Sequence, residues 1–148
     1  MAIVSGGQTG VDRAALDAAL ALGLPCGGWC PRGRRAEDGT LPARYPLRET
    51  PSAAYPERTE WNVRDSDGTL VLHRGRLRGG TALTLRLARA HRRPALAVDL
   101  GAAPSARQVR DWLSRERIHT LNVAGPRESE HPGIHAQAAR FLREVLGA

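Results

Sequence analysis

Lysine is absent from this 148-residue sequence, and aromatic side chains make up only 4% of it. All 22 basic residues are therefore arginine, and against 15 acidic residues they leave a net charge of +7. A basic protein can bind nucleic acid, but so few aromatic rings make a base-stacking surface hard to build. The arginines are also distributed along the chain rather than gathered in one tract. We therefore expect a phosphorylated small molecule, and not a nucleic acid, as the partner.

Cysteine is scarce as well, and its spacing excludes the usual thiol sites. Cys26 and Cys30 are separated by three residues, which fits neither a redox pair nor a four-ligand zinc site. His131 and His135 have helical spacing, yet only two glutamates lie near them in the sequence. We therefore expect no metal site.

Long apolar runs are missing too. None approaches the roughly 20 residues that a membrane-spanning helix needs, and no basic and apolar leader precedes the first predicted strand. An apolar fraction of 41% and a charged fraction of 25% are ordinary for a globular protein. We therefore expect a cytoplasmic protein without a membrane partner, formed by one domain over residues 1–148.

What the chain does contain is a regular alternation of apolar strand segments and helical patterns. Strands are predicted over residues 2–5, 25–29, 68–73, 94–100 and 120–124, and those at 68–73 and 94–100 are predicted to be buried. Helices are predicted over residues 11–22, 57–65, 79–91, 105–116 and 133–146. Residues 31–56, rich in proline, glycine and arginine, are predicted to form a long ordered loop. The alternation is typical of an α/β fold: a single Rossmann-like domain with a mostly parallel sheet and helices on both faces.

Ligands of such folds bind at the carboxyl edge of the sheet, where the strand-to-helix turns gather. A glycine-rich turn follows the first predicted strand, and its candidate ligand contacts are Gly6, Gly7, Gln8, Thr9 and Gly10. Glycine lets a backbone approach an anion closely, and a helix N-terminus offers free N–H groups and a partial positive charge. Arg13, in the first helical turn, is a candidate contact to the same anion. The alternative is a tight structural turn.

A second glycine turn begins the helix predicted at 79–91. It consists of Gly79, Gly80 and Thr81, and three arginines closely precede it. The same physics predicts a second anion site here, and two such turns can flank one crevice of a doubly wound sheet. The alternative is again a structural turn at the start of a helix.

Polar residues beside two further strands are also candidate ligand contacts. They are Asp65, Ser66, Asp67, Asn122 and Arg127. The first three precede the strand predicted at 68–73, where the alternative is a polar turn with side-chain capping. Asn122 lies inside the last predicted strand and needs a hydrogen-bond partner there. Arg127 follows that strand and suits an anion.

Five motifs give the sequence a resemblance to a known family. They are SGGQTGVDRA at 5–14, GRRAEDG at 33–39, RTEWNVRDSDGT at 58–69, GGT at 79–81 and LNVAGPRES at 121–129. Together they resemble the circularly permuted YpsA-like family of the SLOG superfamily of Rossmann-like proteins. Its members often carry the label of molybdenum carriers. The resemblance extends over nearly the whole chain.

This resemblance implies an oligomer that holds a nucleotide-derived ligand or molybdenum cofactor in a surface groove. The wider superfamily includes lysine-decarboxylase-like enzymes that release a base from a nucleoside monophosphate. Their PGGxGTxxE motif supplies a glutamate that acts together with an arginine. The present chain departs from that motif: threonine and glycine are exchanged, and the acid is Asp12, one place earlier.

Two functions follow as hypotheses. The first is a carrier or sensor of a phosphorylated ligand, either molybdenum cofactor or a nucleotide, that works as a dimer or tetramer and is more a binding protein than an enzyme. The second is a nucleotide N-glycosidic hydrolase, which needs a carboxylate to activate water. The candidate carboxylates are Asp12, Glu37 and Asp67.

Overall fold

The structure, a computed structural model, describes residues 1–147, which contain nine strands and five α-helices. The strands are β1 (Ala2–Val4), β2 (Cys26–Gly27), β3 (Trp29–Cys30), β4 (Arg35–Ala36), β5 (Gly39–Thr40), β6 (Arg48–Glu49), β7 (Gly68–His73), β8 (Ala95–Asp99) and β9 (Thr120–Ala124). The helices are α1 (Val11–Leu22), α2 (Tyr55–Arg64), α3 (Gly79–Ala90), α4 (Ala106–Arg115) and α5 (Ile134–Leu146). No helix of residues 1–147 is long and apolar enough to cross a membrane.

Five strands form the central sheet in the order β2-β1-β9-β7-β8, and every neighbouring pair is parallel. Leu70, in the middle of β7, lies opposite Leu96 on one side and Val123 on the other. Strands that are covered on both faces have continuous runs of apolar residues in the sequence. For this reason β7 could be predicted from the sequence. The α/β fold with a parallel sheet is confirmed.

The strand order changes direction beside β7. From β7 the chain moves outward to β8 and then returns to β9 on the other side, next to β1 and β2. If strands were counted from β7 onward through the two termini, the order would be 2-1-3-4-5, a common doubly wound arrangement. The switch point of that arrangement lies between β7 and β9. Ligands of doubly wound folds bind in the crevice at the carboxyl ends of such a strand pair.

The helices form two layers. α5 packs against both α1 and α4, whereas α2 and α3 pack against each other. Right-handed crossovers place these two groups on opposite faces of the sheet. The main apolar core lies under α1, α4 and α5, where Ile3 and Leu121 of the sheet meet Val109, Phe141 and Leu142. Burying a side chain of this size stabilises the fold by about 1.5–3 kcal/mol.

The opposite face of the sheet is more polar near the switch point. Because side chains alternate along a strand, Thr69 points away from the core that contains Leu70 and Leu72. Asn122 lies opposite Thr69 in the register, and its Nδ2 donates to the Thr69 Oγ1 at 3.2 Å. This bond supplies the partner that a buried amide needs.

The predicted strand at 25–29 is divided into two. Gly28 separates β2 from β3 with a φ of 129°, and a Cβ there would lie 2.4 Å from the backbone oxygen of Ser5. β2 continues the central sheet, whereas β3 pairs with β6 outside it. The glycine thus turns the chain out of the sheet and towards the loop at residues 31–56.

Residues 31–56 carry short strands that have no periodic signal in the sequence. β4 and β5 form a hairpin, and β6 pairs with β3. A second apolar cluster lies beneath them, made of Leu16, Cys30, Leu41, Tyr45 and Leu47. This cluster anchors the loop layer on α1.

The strand predicted as buried at 94–100 is the edge strand β8. Ala95 and Ala97 are exposed, whereas Leu96 and Val98 pack on the main core. Small apolar residues in sequence do not distinguish an edge strand from an interior one, since either position accepts them. The prediction of a strand was right, and the prediction of its burial was wrong.

Candidate anion-binding site

A cavity of about 420 Å³ lies at the switch point, beside the ends of β7 and β9. Its walls come from the turns after β1 and β9 and from α2 and α3. Among the residues that line it are Gln8, Asp12, Arg58, Thr81, Arg86 and Arg127. We call it the switch-point cavity. Its volume is in the range of small-molecule sites, and it brings together parts of both predicted glycine turns.

One wall of the switch-point cavity is the start of α3. Gly79 has a φ of 57°, and a Cβ added at Gly79 or at Gly80 would meet nothing within 4 Å. No side chain caps this helix, so the N–H groups of its first turn have no side-chain acceptor. The hydroxyl of Thr84 donates to the backbone oxygen of Gly80 at 2.9 Å and holds the turn in place. An anion placed here would meet free N–H groups and the positive end of the helix dipole.

Two other residues of the cavity wall each carry a buried donor without a partner. Gln8 is only 5% exposed, and its Oε1 accepts from the backbone N–H groups of Thr9 and Glu37 at 3.0 and 2.8 Å. Within residues 1–147, neither the Nε2 of Gln8 nor the Nε of Arg58 has a hydrogen-bond partner. A buried donor left unpaired costs about 1–3 kcal/mol. Both residues line the switch-point cavity.

The Arg58 side chain is held by a buried carboxylate. Its Nη1 donates to the Oδ2 of Asp12 at 2.9 Å, and Asp12 is only 3% exposed. Burial raises the pKa of Asp12, although the charge and hydrogen bond of Arg58 act in the opposite direction. A Cβ at Gly6 would lie 1.8 Å from the Arg58 Nη1, so glycine is required for the guanidinium to fit. Gly6 therefore serves the site by making room for Arg58.

Two further arginines contribute charge to the cavity. Arg127, predicted as an anion contact, lines the cavity, and its Nε donates to the Oε1 of Glu130 at 3.0 Å. Arg86, on α3, also lines the cavity and takes part in none of the ion pairs found in residues 1–147. The structure therefore adds an exposed and unpaired guanidinium to the side of the cavity formed by α3.

The first glycine turn packs closely against the rest of the chain. Gly7 and Gly10 both have a φ of 78°, and at each of them protein atoms occupy the position that a Cβ would take. A Cβ at Gly7 would lie 2.6 Å from the Leu47 Cδ1, and one at Gly10 would lie 2.3 Å from the Pro126 oxygen. These glycines permit close packing of the chain on itself, so Gln8 is the member of the turn that lines the switch-point cavity.

Thr9 and Arg13 face a second cavity, of about 690 Å³, on the other side of the turn. We call it the acidic cavity because four carboxylates line it: Asp17, Glu37, Asp38 and Glu128. Thr9 donates its hydroxyl to the Glu37 carboxylate and accepts from the Glu128 N–H at 3.2 Å. Arg13 pairs with Asp38 through two bonds of 2.9 and 3.0 Å. Neither residue is placed beside the switch-point cavity.

Asp65, Ser66 and Asp67 lie at the amino end of β7, away from the carboxyl edge. Asp67 Oδ2 accepts from the backbone N–H groups of His119 and Thr120 at 3.0 and 2.8 Å, and these bonds lower the pKa of Asp67. Ser66 donates to the Asn62 oxygen, and Asp65 is bonded by Arg64 and the Trp29 Nε1. All three have structural partners because residues that precede a parallel strand reach only its amino edge.

Residues 3–146 match the model of the circularly permutated YpsA SLOG family. The chain belongs to this family. A crystal structure from Syntrophus aciditrophicus SB, described as a "Putative molybdenum carrier protein", is 44% identical with a TM-score of 0.93. The match covers 98% of this chain and 94% of that one. No curated protein matches the sequence. The strand order of this YpsA-family chain, regular when counted from β7, agrees with a permuted topology.

Two contributors to the site of this YpsA-family chain were not predicted. Arg58 lies on α2, and its partner Asp12 is 46 residues away in the sequence. No local sequence pattern therefore connects the two residues. Arg86 did leave a signal: between Asp67 and Asp99 the sequence contains seven arginines and no acidic residue. Counting the net charge in successive windows of the sequence would have revealed this arginine-rich segment.

The chemistry of the cavity suits an oxyanion better than a metal ion. In residues 1–147 no group of three or more histidine, cysteine or acidic side chains is placed to hold a metal. Cys30 is buried in the second apolar cluster, and Cys26 packs against both apolar clusters. Neither thiol lines the switch-point cavity, and burial raises the pKa of both. The cavity is lined by guanidinium, amide and hydroxyl groups, and its two carboxylates, Asp12 and Glu130, are paired with arginines.

Proposed function

We propose that this YpsA-family protein binds a phosphate-bearing small molecule in the switch-point cavity and acts as its carrier or sensor. One observation carries the proposal: the unpaired buried donors of Gln8 and Arg58 share a cavity with the uncapped start of α3. Folded proteins seldom leave buried donors unpaired. A bound phosphate would accept from both walls at once, with the charge-assisted bonds that such groups form most strongly.

The ligand is either a nucleotide or molybdenum cofactor, both of which present a phosphate. The similar protein from Syntrophus aciditrophicus SB carries the description of a molybdenum carrier, which supports the second choice. A molybdenum cofactor would be held here through its phosphate by Gln8, Arg58 and the start of α3. Neither cysteine lines the cavity, so this arrangement assigns them no role as molybdenum ligands.

The variant Gln8→Glu tests the proposal with a minimal change. It keeps the Oε1 that accepts from Thr9 and Glu37 but replaces the unpaired Nε2 with a carboxylate oxygen. We expect the dissociation constant for AMP, measured by isothermal titration calorimetry, to rise at least ~10-fold, a loss of about 1.4 kcal/mol. Gln108→Glu makes the same change of charge at an exposed position on α4 and serves as the matched control.

The possible results of this binding experiment lead to different conclusions. A loss of AMP binding in Gln8→Glu, with wild-type binding in Gln108→Glu, supports the cavity as the site. Equal affinities of the wild type and Gln8→Glu would remove the switch-point cavity from consideration. Binding of molybdate in place of AMP would keep the anion site but overturn the assignment of a phosphate-bearing ligand.

A second candidate function is hydrolysis of a nucleotide N-glycosidic bond. Of the three carboxylates predicted for that role, Asp12 lines the cavity, whereas Glu37 and Asp67 are placed elsewhere. Burial raises the pKa of Asp12, as is common for groups that transfer protons in enzymes. The deprotonated carboxylate would take a proton from the water that attacks the anomeric carbon, and the base would leave with the bonding electrons. Release of free adenine from AMP, abolished in Asp12→Asn while AMP still binds, would establish this activity.

Assembly into a dimer or tetramer and a cytoplasmic location are parts of the same proposal. The exposed edge of β8, with Ala95 and Ala97 at its surface, is the kind of surface that assembly covers. Sedimentation equilibrium of the wild-type protein tests the oligomer, and a single monomeric species at micromolar concentration would refute it.

A further inference from the structure

The excess positive charge of the chain is concentrated in one segment. Between Asp67 and Asp99 there are seven arginines and no acidic residue, and the other 15 arginines equal the 15 acidic residues in number. The seven are Arg74, Arg76, Arg78, Arg86, Arg89, Arg92 and Arg93. The net charge of +7 therefore belongs entirely to the turn between β7 and α3, to α3 itself and to the turn that follows α3.

Part of this segment forms the α3 side of the switch-point cavity. Arg78 precedes Gly79, which lines the cavity, and Arg86 lines the cavity two helical turns later. Neither they nor Arg76 take part in any ion pair found within residues 1–147. The α3 side thus combines free N–H groups with guanidinium charge that no carboxylate of the described chain neutralises.

The part of the cavity formed by α2 and by the turns after β1 and β9 is arranged differently. Its arginines, Arg58 and Arg127, are already paired with Asp12 and Glu130 at 2.9 and 3.0 Å. Its buried unpaired donors, within residues 1–147, are the Nε2 of Gln8 and the Nε of Arg58. The donors of the cavity thus form two groups on different elements, and each group is a candidate position for an anionic oxygen.

From these two positions we infer that the ligand carries two adjacent anionic groups, as a diphosphate does. The inference rests on the proposed function and narrows its ligand class. One phosphate binds the start of α3 with Arg86, and the other binds the Gln8 and Arg58 donors. A single phosphate satisfies one side and leaves the other with unmatched donors, which lowers the affinity.

Titration calorimetry of the wild-type chain with inorganic pyrophosphate and with orthophosphate, at one ionic strength, tests the inference. We expect pyrophosphate to bind at least ~10-fold more tightly than orthophosphate. Arg86→Ala should remove most of that preference. Arg89→Ala is the matched control, because Arg89 is an exposed arginine in the last turn of the same helix and does not line the cavity. It should retain the full preference.

Each result has a distinct meaning. Equal affinities for the two anions in the wild type would overturn the diphosphate inference while leaving the phosphate-binding function in place. Equal losses in Arg86→Ala and Arg89→Ala would show diffuse attraction instead of a second position, and would also overturn it. Absence of binding of both anions would refute the proposed function, and the diphosphate inference with it.

Discussion

The switch-point cavity and the acidic cavity lie on opposite sides of the same glycine turn, yet they are suited to opposite tasks. The acidic cavity is larger, about 690 against 420 Å³. Four carboxylates line it, but each already has partners within the chain: Asp17, Glu37, Asp38 and Glu128 accept the bonds. The switch-point cavity retains unpaired donors and an unpaired arginine.

This difference is why the proposed function rests on unpaired hydrogen-bond donors and not on cavity volume. A cavity whose polar groups are paired gains little from a ligand, since binding must break bonds that already exist. The hairpin of β4 and β5 fills one side of the turn with the Glu37 carboxylate, which accepts from Thr9 and Ser129. The chain thus supplies an anionic acceptor of its own in the acidic cavity, whereas the buried donors of Gln8 and Arg58 have no acceptor within residues 1–147.

The largest expected effect comes from breaking the ion pair of the switch-point cavity. Arg58→Met leaves the Asp12 carboxylate buried without its partner, which should lower the free energy of unfolding by ~3–5 kcal/mol. Adding Asp12→Asn removes the stranded charge and should restore more than half of that stability. Urea unfolding of the three proteins measures both effects.

The same variants separate stability from binding. The double variant should regain stability but should not regain orthophosphate binding, because the Arg58 donor is still missing. Recovery of binding together with stability would mean that Arg58 only supports the fold, and that the two cavities differ less than the structure indicates.

The parts of the fold that could be predicted from the sequence are those that local patterns determine. β7 is a continuous apolar run, and α3 and α5 show helical spacing, so their existence and type were readable. The second glycine turn was placed correctly at the carboxyl edge, because it follows a strand and begins a helix. The break between β2 and β3 at Gly28 could not be predicted, because a glycine is required there by the nearby backbone oxygen of Ser5, which is distant in the sequence.

The candidate site was only partly predictable, for a physical reason. A glycine is needed wherever a backbone must approach another atom closely, whether that atom belongs to a phosphate or to the protein. Gly7 and Gly10 lie against Leu47 and Pro126, so packing within the protein already accounts for a glycine at each position. Arg58 was not predicted because its place at the cavity depends on how α2 packs, which the spacing of residues on α2 does not encode.

A smaller effect is expected on the acidic side of the comparison. Glu37→Gln removes the charge that strengthens the bonds from Thr9 and Ser129 and should lower the free energy of unfolding by ~1–2 kcal/mol. Binding of orthophosphate should be unchanged, because Glu37 does not line the switch-point cavity. A weaker phosphate affinity in this variant would show that the two cavities are coupled through the glycine turn.

The effect of Glu37 should also depend on pH in a definite direction. Burial alone would raise its pKa, but hydrogen bonds from Ser129 and Thr9 outweigh that effect and hold the pKa below the ordinary 4.5. Its contribution to stability is therefore complete above about pH 4.5 and is lost as the pH falls through the lower value of the folded state. Urea unfolding at a series of acidic pH values should show the wild type and Glu37→Gln converging in stability.

The smallest expected effect is at the far end of the acidic cavity. Tyr45 donates its hydroxyl to the Asp17 Oδ1 at 2.6 Å, while the His135 Nε2 lies 2.8 Å from the Oδ2. Tyr45→Phe keeps the ring in the second apolar cluster and removes one bond of a carboxylate that retains its other partner. Thermal unfolding should therefore show a loss of only ~0.5–1.5 kcal/mol. A loss of stability as large as that of Arg58→Met would mean that the polar groups of the acidic cavity are as sensitive to the loss of a partner as those of the switch-point cavity. The contrast between a cavity with paired polar groups and one with unpaired donors would then no longer hold.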